Sequence, residues 1–448
     1  MKLVVLMMTI AEMLQAQRSG ALTSRALVQQ FLAAAEENKR LCAVSEINPE
    51  AFFDARALDA STDKNTALHG IPVFIKDNIN AAGMVTGAGS IALARNVAQT
   101  DAPIVRLLRA SGAVVLGKAN MTEFANYMAG DMPNGYSSRG GQVLNLFDSA
   151  ADPSGSSTGS AVAVGAGLCA AAVGTETCGS IISPAQYAGV IGIKPTAGLV
   201  SNMGILPISF TLDTAGPIAR CADDARILLG VLAGRRYDAP APGLQGLRVG
   251  ICRMFTDEME APDWLEANEN LVSVMQACGA QCVELPAHNI RAGEFLGPIM
   301  RHEFKYGVNR YLRSMNNPAI PQNLAEIIAY NQRYADIALR YGQGTLIEAE
   351  NTPATLTAPE YLSALEAREL AIRDFDDLFD EHGIDLFFMT AANSGLAAAT
   401  GFPSMTLPIG RTPGGLPIGS YFVAQRQRED ILLRTAAAIE SALVTKSI

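Results

Sequence analysis

Two serines and one lysine are the side chains whose types and spacing best suit catalysis in this chain. Ser156 lies in a run of glycine, serine and threonine at 155–160, and Ser180 follows 24 residues later, at the end of 174–180. A serine hydroxyl is a poor nucleophile until a nearby base takes its proton. The chain contains only four histidines, which leaves Lys76 as the candidate base. The combination predicts a hydrolase that works through a Ser-Ser-Lys relay.

The residues around these three suit the same chemistry. Gly155 before the first serine and Gly179 before the second allow the backbone to approach a substrate closely. Lys76 follows an apolar run, and desolvation there lowers a lysine pKa toward neutrality. Successive backbone N–H groups before Ser180 can converge into a nest that holds the oxyanion of a tetrahedral intermediate. Those N–H groups belong to Thr177, Cys178, Gly179 and Ser180.

The elements that must position these residues alternate between strands and helices. Apolar runs predict a short buried strand at 71–75, a helix at 102–111 and a second strand at 113–117. Strands that alternate with helices at this spacing favour a layered α/β fold. Further predicted helices span 9–17, 24–38, 122–128, 161–172 and 430–443, and further strands span 190–193, 247–251, 385–389, 404–407 and 418–423.

Two stretches bear on domain organisation. The segment 239–246 is rich in proline and glycine, which is typical both of a surface loop inside one domain and of a boundary between domains. Residues 289–380 carry more charge and more tyrosine, and their pattern predicts longer helices. We interpret this region as a helical subdomain or lid beside the sheet.

Composition limits the classes of partner and compartment. The 448 residues include 44 acidic and 34 basic side chains, which argues against nucleic acid and anionic membranes as partners. No apolar run reaches the about 20 residues that a membrane span needs. The apolar start is short for a secretion signal, and Thr9 with Glu12 predicts a capping box that begins a helix. The seven cysteines form no C-x-x-C pair, which favours reduced thiols in the cytoplasm.

Three short motifs point to other chemistry and fail on their context. Residues 112–118 approach a phosphate-binding loop, but the middle four read as a buried strand and alanine follows where Ser or Thr is required. Residues 61–64 spell S-x-x-K inside a polar, turn-rich segment. Residues 155–159 satisfy G-x-S-x-G, yet Pro153 precedes them where a strand is needed, and His382 reads as the end of a helix. No metal motif can be assembled from the four histidines.

With these residues in place, the sequence resembles the amidase signature family, which includes fatty-acid amide hydrolase and the glutaminase subunit of tRNA-dependent amidotransferases. In the family pattern the strand-end lysine matches Lys76, the first serine of the Ser-Ser pair matches Ser156, and the nucleophile matches Ser180. Gly155 and Ser157 then belong to the loop that supports the first serine. The ordered matches cover nearly the whole chain and fall at 10–12, 69–73, 117–120, 192–196, 213–217, 403–408 and 415–419.

The resemblance implies a single domain over 1–448, with a mixed twisted β-sheet sandwiched between layers of α-helices and with 289–380 bordering the active site. It implies that Lys76 takes a proton from Ser156, which deprotonates Ser180 for attack on an amide carbonyl. The N–H groups from Thr177 to Ser180 would receive the oxyanion, and water would then hydrolyse the acyl-enzyme. The resemblance implies no cofactor and no metal.

The chain departs from the common pattern in three places. Ser154 and Thr158 replace glycines of the loop, and Ile182 stands where many members carry arginine. A subgroup that resembles bacterial peptide amidases also has an aliphatic residue there. Relative to that subgroup Cys178 replaces an acidic residue, although its backbone N–H still suits an oxyanion hole. Its side chain is either a buried space-filler or a thiol that makes the enzyme sensitive to oxidation and thiol reagents.

The sequence therefore predicts an amidase that cleaves the C–N bond of a small carboxamide through an acyl-enzyme and releases ammonia or an amine. Two alternatives stay open: a glutaminase subunit of an amidotransferase complex, and an inactive protein that keeps the fold for binding. We expect a cytoplasmic enzyme with a small-molecule amide as partner and with no nucleic acid and no membrane; a homodimer is left open. The pocket is expected from 126–136, 204–210 and 295–345, which do not identify the substrate.

Overall fold

Short runs of apolar and small residues form the strands, and most strands are buried along their whole length. The computed structural model describes residues 5–253, 262–285, 293–353, 355–389 and 395–446. Within these ranges the strands are β1 (Val44–Ile47), β2 (Pro72–Lys76), β3 (Val114–Ala119), β4 (Tyr136–Ser137), β5 (Gly141–Gln142), β6 (Ala171–Glu176), β7 (Ile191–Lys194), β8 (Thr214–Ala219), β9 (Arg248–Cys252), β10 (Gln281–Glu284), β11 (Leu386–Met389), β12 (Ser404–Thr406), β13 (Pro408–Arg411), β14 (Pro417–Gly419) and β15 (Tyr421–Ala424).

Helices connect the strands, and the first of them begins as predicted. The Thr9 side chain accepts a hydrogen bond from the Glu12 N–H while the Glu12 carboxylate accepts one from the Thr9 N–H, which is the expected capping box. The helices are α1 (Ile10–Arg18), α2 (Ser24–Glu37), α3 (Ala51–Ala60), α4 (Pro103–Ala110), α5 (Thr158–Gly165), α6 (Ile182–Tyr187), α7 (Ala222–Leu232), α8 (Pro262–Ala277), α9 (Gly293–Ser314), α10 (Leu324–Arg333), α11 (Ala335–Ala338), α12 (Gly344–Asn351), α13 (Pro359–His382), α14 (Gly395–Thr400) and α15 (Glu429–Lys446).

The main sheet has 11 strands in the order β1-β3-β2-β6-β8-β7-β12-β15-β11-β9-β10. β2 pairs in parallel with β3 and with β6, whereas the strands from β6 to β11 pair antiparallel. Every residue of β2, β3, β6 and β8 is buried, so both faces of this part of the sheet are covered. The predicted α/β fold with a mixed sheet between helices is therefore confirmed. The segment 239–246 is a loop inside this one domain.

The predicted helix at 161–172 is wrong in its second half. α5 ends at Gly165, and Gly167 adopts a left-handed conformation with φ of +67°, which is typical of a residue just past a helix. The chain then forms β6 between β2 and β8. Small residues suit this position because a Cβ added at Gly174 would lie 2.9 Å from the Ser157 hydroxyl. The strand therefore carries its end toward residues 154–157, which we call the serine loop.

The predicted helix at 122–128 is also wrong. Only a single turn forms at Glu123–Asn126, and the φ angles of Phe124, Ala125 and Asn126 are 49°, 57° and 72°. Bonds to other parts of the chain replace the helical ones: the Thr122 N–H donates to the Ser156 carbonyl at 3.1 Å, and the Phe124 N–H donates to Ala88 at 2.9 Å. Tertiary contacts beside the candidate site thus override the local helical pattern.

Two further predictions concern the later part of the chain. The predicted strand at 418–423 is two strands, because β14 pairs with β13 in a small sheet while β15 joins the main sheet. Between 293 and 382, the described residues form the helices α9 to α13. Part of the region 289–380 lies outside the described residues, and its role as a subdomain or lid stays a prediction.

Candidate active site

The amine of Lys76 lies in the interior, directly beside the serine loop. Lys76 is the last residue of β2 and is fully buried. Its Nζ lies 2.8 Å from Ser156 Oγ, 2.9 Å from Ser157 Oγ and 3.0 Å from the Thr175 carbonyl oxygen. The sequence-predicted base and the first predicted serine are therefore in direct contact.

The environment of Lys76 favours the neutral amine at moderate pH. Burial lowers the lysine pKa from 10.5 to about 7, and the charges of Asp213 and Glu176 act in the opposite direction. Desolvation penalises the charged form because water no longer solvates it. A lysine with a pKa near 7 has a substantial neutral fraction at neutral pH, and only the neutral form can accept a proton.

The hydrogen bonds distinguish the two serines beside Lys76. The Ser157 hydroxyl donates to the Thr175 carbonyl at 2.9 Å, so its proton is already engaged. A neutral amine has two N–H donors and one lone pair. Thr175 and Ser157 offer acceptors for the two donors, which leaves the lone pair for the hydroxyl proton of Ser156. This count favours Ser156 over Ser157 as the hydroxyl that gives its proton to Lys76.

The serine loop is held by tight backbone contacts. The peptide bond between Gly155 and Ser156 is cis. A Cβ added at Gly155 would lie 2.4 Å from Thr122 Oγ1, so glycine is the residue that fits. The Ser157 N–H donates to the Ser180 carbonyl at 3.1 Å, which joins the serine loop to the second predicted serine.

Ser180 ends a tight turn that follows β6. Ser180 is 8% exposed, and Gly179 before it has a φ of +92°, a conformation that favours glycine. The N–H groups of Ile181 and Ile182, just after the serine, donate to Glu176 Oε2 at 2.7 and 3.0 Å. The turn therefore folds around the buried Glu176 carboxylate.

A second carboxylate holds the other side of this turn. The Thr177 hydroxyl donates to Asp213 Oδ1 at 2.5 Å. Desolvation raises the pKa of Asp213 to about 7, although hydrogen bonds from Thr177, Ser209 and Ile208 act to lower it. Asp213 thus links the turn before Ser180 to the segment that precedes β8.

The surroundings of Cys178 bear on both interpretations that the sequence left open. The residue as a whole is exposed, so it does not fill a sealed space in the core, although the surrounding protein still removes water from its sulfur. Desolvation of the thiol and the nearby Glu176 charge raise its pKa to about 11. The thiol therefore stays protonated at neutral pH, and the protonated form is a weak nucleophile.

Sequence reasoning missed the roles of Glu176 and Asp213. Glu176 is the only carboxylate in 174–180, and Asp213 begins the motif at 213–217, so both were visible in the sequence. The sequence did not show that both carboxylates contact the turn that ends at Ser180. An acidic residue at the end of a run of small residues, four positions before a candidate nucleophile, is the sequence signal that could have identified Glu176.

A cavity of about 180 Å³ lies beside Asp213. It is lined by the segment 204–213 and by α9, and the Phe210 and Tyr306 rings meet in its wall with centroids 6.0 Å apart. Two of the three predicted pocket segments, 204–210 and 295–345, therefore contribute to a cavity near the candidate site.

No group of three or more metal-ligating side chains that could hold a metal ion occurs among the described residues. Nor does any helix in those ranges have the length and apolar character to cross a membrane.

Comparison with known proteins places the chain in a class. The family model described as Amidase matches residues 26–396, and the chain belongs to this family. A probable amidase from Arabidopsis thaliana is 34% identical over 98% of this chain and 90% of its own length. A glutamyl-tRNA(Gln) amidotransferase subunit from Deinococcus radiodurans is 31% identical over 97% of each chain. The chain is an enzyme that hydrolyses amide bonds.

A solved structure narrows the likeness within the family. Native peptide amidase from Stenotrophomonas maltophilia matches this fold with a TM-score of 0.91 and is 36% identical in sequence. The match covers 98% of this chain and 97% of that one. The predicted resemblance to the peptide-amidase subgroup is confirmed, and so is the fold.

Proposed function

We propose that this amidase cleaves a carboxamide C–N bond through Lys76, Ser156 and Ser180, with an acyl-enzyme on Ser180. The observation that carries the proposal is the 2.8 Å contact between the buried Lys76 amine and the Ser156 hydroxyl. The lowered pKa of Lys76, about 7, supports its role as the base. The backbone bond from Ser157 to Ser180 supports the step between the two serines.

In the proposed reaction, neutral Lys76 accepts the Ser156 proton while Ser156 accepts the proton of Ser180. Ser180 Oγ attacks the amide carbon, and the negative charge moves to the carbonyl oxygen. The C–N bond then breaks as the proton returns through Ser156 to the leaving nitrogen. Water gives a proton to the same relay, attacks the acyl-enzyme and releases the carboxylic acid with Ser180 restored.

The oxyanion is assigned to the N–H groups of Thr177, Cys178, Gly179 and Ser180. The next two N–H groups along the chain donate to Glu176, so they are engaged elsewhere, and the Gly179 N–H also acts on that carboxylate, where it helps to lower the pKa of Glu176. Donors that point at the developing charge from a fixed turn stabilise the transition state without reorganisation. Gly155 and Ser157 have supporting roles in this proposal, since they hold the loop around Ser156.

The substrate that we propose is a small carboxamide whose cleavage releases ammonia or an amine. The cavity beside Asp213, with Phe210 and Tyr306 in its wall, supports an apolar group on the substrate. The likeness to a peptide amidase makes amino-acid amides and amidated peptides the first compounds to test. The higher identity to that enzyme than to the amidotransferase component disfavours the glutaminase alternative.

The compartment, the border of the active site and the assembly complete the proposal. The seven cysteines all lie in the described ranges and none forms a disulfide there, which supports the reducing cytoplasm as the compartment. The helices between 293 and 382, with α9 at the cavity, support the region 289–380 as a helical border of the active site. A homodimer is the assembly to test, by sedimentation of the purified chain.

A fluorophosphonate probe tests the nucleophile. We expect the wild-type protein to be labelled and Ser180→Ala to remain unlabelled, because the probe phosphonylates an activated serine. Ammonia release from amino-acid, aryl and aliphatic amides and from glutamine then defines the substrate. Equal and poor labelling of both proteins would overturn the enzyme assignment in favour of an inactive binding protein. Release of ammonia only in the presence of partner proteins would favour the glutaminase alternative.

A further inference from the structure

Glu303 is a buried carboxylate that the proposed relay does not use. It lies on α9 and is fully buried. Two hydroxyls from the segment before β8 donate to it at 2.5 Å each, Ser209 to Oε2 and Thr211 to Oε1. The Thr211 N–H donates to Oε2 at 3.0 Å, and the Tyr361 hydroxyl of α13 donates to Oε1 at 2.7 Å. These four donors give the carboxylate the bonds that burial requires.

Asp213 holds the same segment from its other end. The N–H groups of Ile208 and Ser209 donate to Asp213 Oδ2 at 2.9 and 3.1 Å. The opposite oxygen accepts the Thr177 hydroxyl in the turn that ends at Ser180. The segment 208–213 is therefore held between two carboxylates, and one of them contacts the turn of the candidate nucleophile.

The two anchors are coupled through Ser209. Its hydroxyl donates to Glu303 and accepts the Leu212 N–H at 3.1 Å, while its carbonyl accepts the Asp213 N–H at 2.9 Å. A shift of the Ser209 side chain away from Glu303 therefore disturbs the bonds that orient Asp213. The segment also carries Phe210, whose ring meets Tyr306 one turn along α9 from Glu303.

We propose that Glu303 is a positioning residue for the amidase reaction: it fixes the segment 208–213 so that Asp213 holds Thr177 and the turn that ends at Ser180. This inference rests on the proposed function, because it assigns Ser180 as the nucleophile. Glu303 contacts none of the three relay residues in the described structure, so its effect passes through Asp213. An apolar residue of similar volume often serves stability equally well at a buried site, whereas a carboxylate also fixes the direction of its donors.

Two hydroxyls that donate to the same oxygen, Glu303 Oε1, provide a matched pair of variants. Thr211→Val removes one of the three hydrogen bonds from the segment to Glu303 and leaves those of the Ser209 hydroxyl and the Thr211 N–H, whereas Tyr361→Phe removes the bond from α13 to Glu303. The rate of fluorophosphonate labelling of Ser180 is measured for each, together with the melting temperature and the folded fraction. We expect Thr211→Val to slow labelling about tenfold and Tyr361→Phe to change it less than about twofold, because only the first of these two hydroxyls belongs to the segment 208–213. Both variants should lose stability to a similar extent.

A double-mutant cycle with Thr177→Val tests the route through Asp213. Thr177→Val cuts the bond to Asp213, so adding Thr211→Val should then slow labelling less than about threefold. If the double variant is slowed by the product of the two single effects, Thr177→Val and Thr211→Val act independently and the positioning role is overturned. Equal labelling rates for Thr211→Val and Tyr361→Phe would also overturn it. If the wild-type protein is not labelled at all, the proposed function fails and the positioning role with it. Labelling of wild type at the same rate as Thr211→Val overturns the positioning role alone.

Discussion

Lys76 and Lys118 lie on neighbouring strands, yet only Lys76 meets serine hydroxyls in the described part of the chain. In the parallel β2–β3 pair Ile75 is opposite Lys118 and Lys76 is opposite Ala119. Successive residues of a strand point to opposite faces of the sheet, so the two amines leave the sheet on opposite sides. A shift of one residue in either strand would place both amines on the same face of the sheet. The register of the sheet thus selects which lysine can act as the base.

Burial lowers the pKa of both lysines, that of Lys118 to about 8 and that of Lys76 to about 7. Lys118 donates to the Ile79 carbonyl and lies 3.4 Å from the Thr86 hydroxyl, and the charges of Asp77 and Glu46 raise its pKa. Desolvation therefore creates a candidate base at more than one place. In the proposed relay, contact with a hydroxyl that can give up its proton decides which lysine acts as the base.

The largest predicted effect separates the two lysines by activity. Lys76→Met should reduce kcat/KM about 1000-fold or more, since a general base contributes about 100- to 10000-fold. Lys118→Met should leave kcat/KM of the folded protein within about fivefold, because the partners of its amine, Ile79 and Thr86, lie outside the relay. Amide hydrolysis and circular dichroism of both variants provide the measurement. Comparable losses of activity in two folded variants would remove the distinction between the two lysines.

The next prediction concerns the pH dependence of kcat/KM. The base must be neutral, so activity should fall below about pH 7, the pKa of Lys76. The fall should approach tenfold per pH unit at lower pH, as for loss of a single essential base. Asp213 also has a pKa of about 7, and its protonation removes a charge that raises the pKa of Lys76. Lys118→Met should keep the wild-type profile; a shift of its acid limb by one unit would show that the two amines are coupled.

The sequence predicted Lys76, Ser156 and Ser180 as a relay because each has a distinctive neighbourhood. Lys76 ends an apolar strand, and both serines lie in glycine-rich runs, so residue type and spacing were enough to make them candidates; the structure brings Lys76 and Ser156 into contact, and the relay itself stays a prediction. The same reasoning gave the α/β class and the first helix with its capping box. These features are local, and local patterns are what a sequence displays directly.

The failures share a physical cause. The helix predicted at 122–128 is replaced by a turn because Thr122 and Phe124 donate to carbonyls far away in the sequence. The start of β6 falls inside a predicted helix because its small residues have no clear period, and only its two neighbours in the sheet make it a strand. Contacts between distant segments decide both the turn at 122–128 and the start of β6, and no local pattern encodes them.

A smaller effect tests the hydroxyl partners of the two lysines. Ser157→Ala removes one acceptor from Lys76 and should lower kcat about tenfold, the equivalent of one hydrogen bond to a charged or polarised group. Thr86→Val removes the corresponding hydroxyl near Lys118 and should change kcat less than about twofold. Steady-state kinetics of both variants decide the point. A larger loss for Thr86→Val than for Ser157→Ala would contradict the proposed difference between the two sites.

The smallest effect is a difference in stability with pH. An unfolded lysine keeps its proton below about pH 10, whereas folded Lys76 releases it above about pH 7, so the unfolded state binds more protons and stability rises with pH in this range. Between pH 6 and 8 this contribution is about 1.4 kcal/mol for Lys76 and about 0.4 kcal/mol for Lys118, whose pKa is about 8. Urea unfolding of wild type, Lys76→Met and Lys118→Met at both pH values should show the larger loss of pH dependence in Lys76→Met. Equal changes in the two variants would mean that both amines titrate alike and that burial, without the serines, accounts for Lys76.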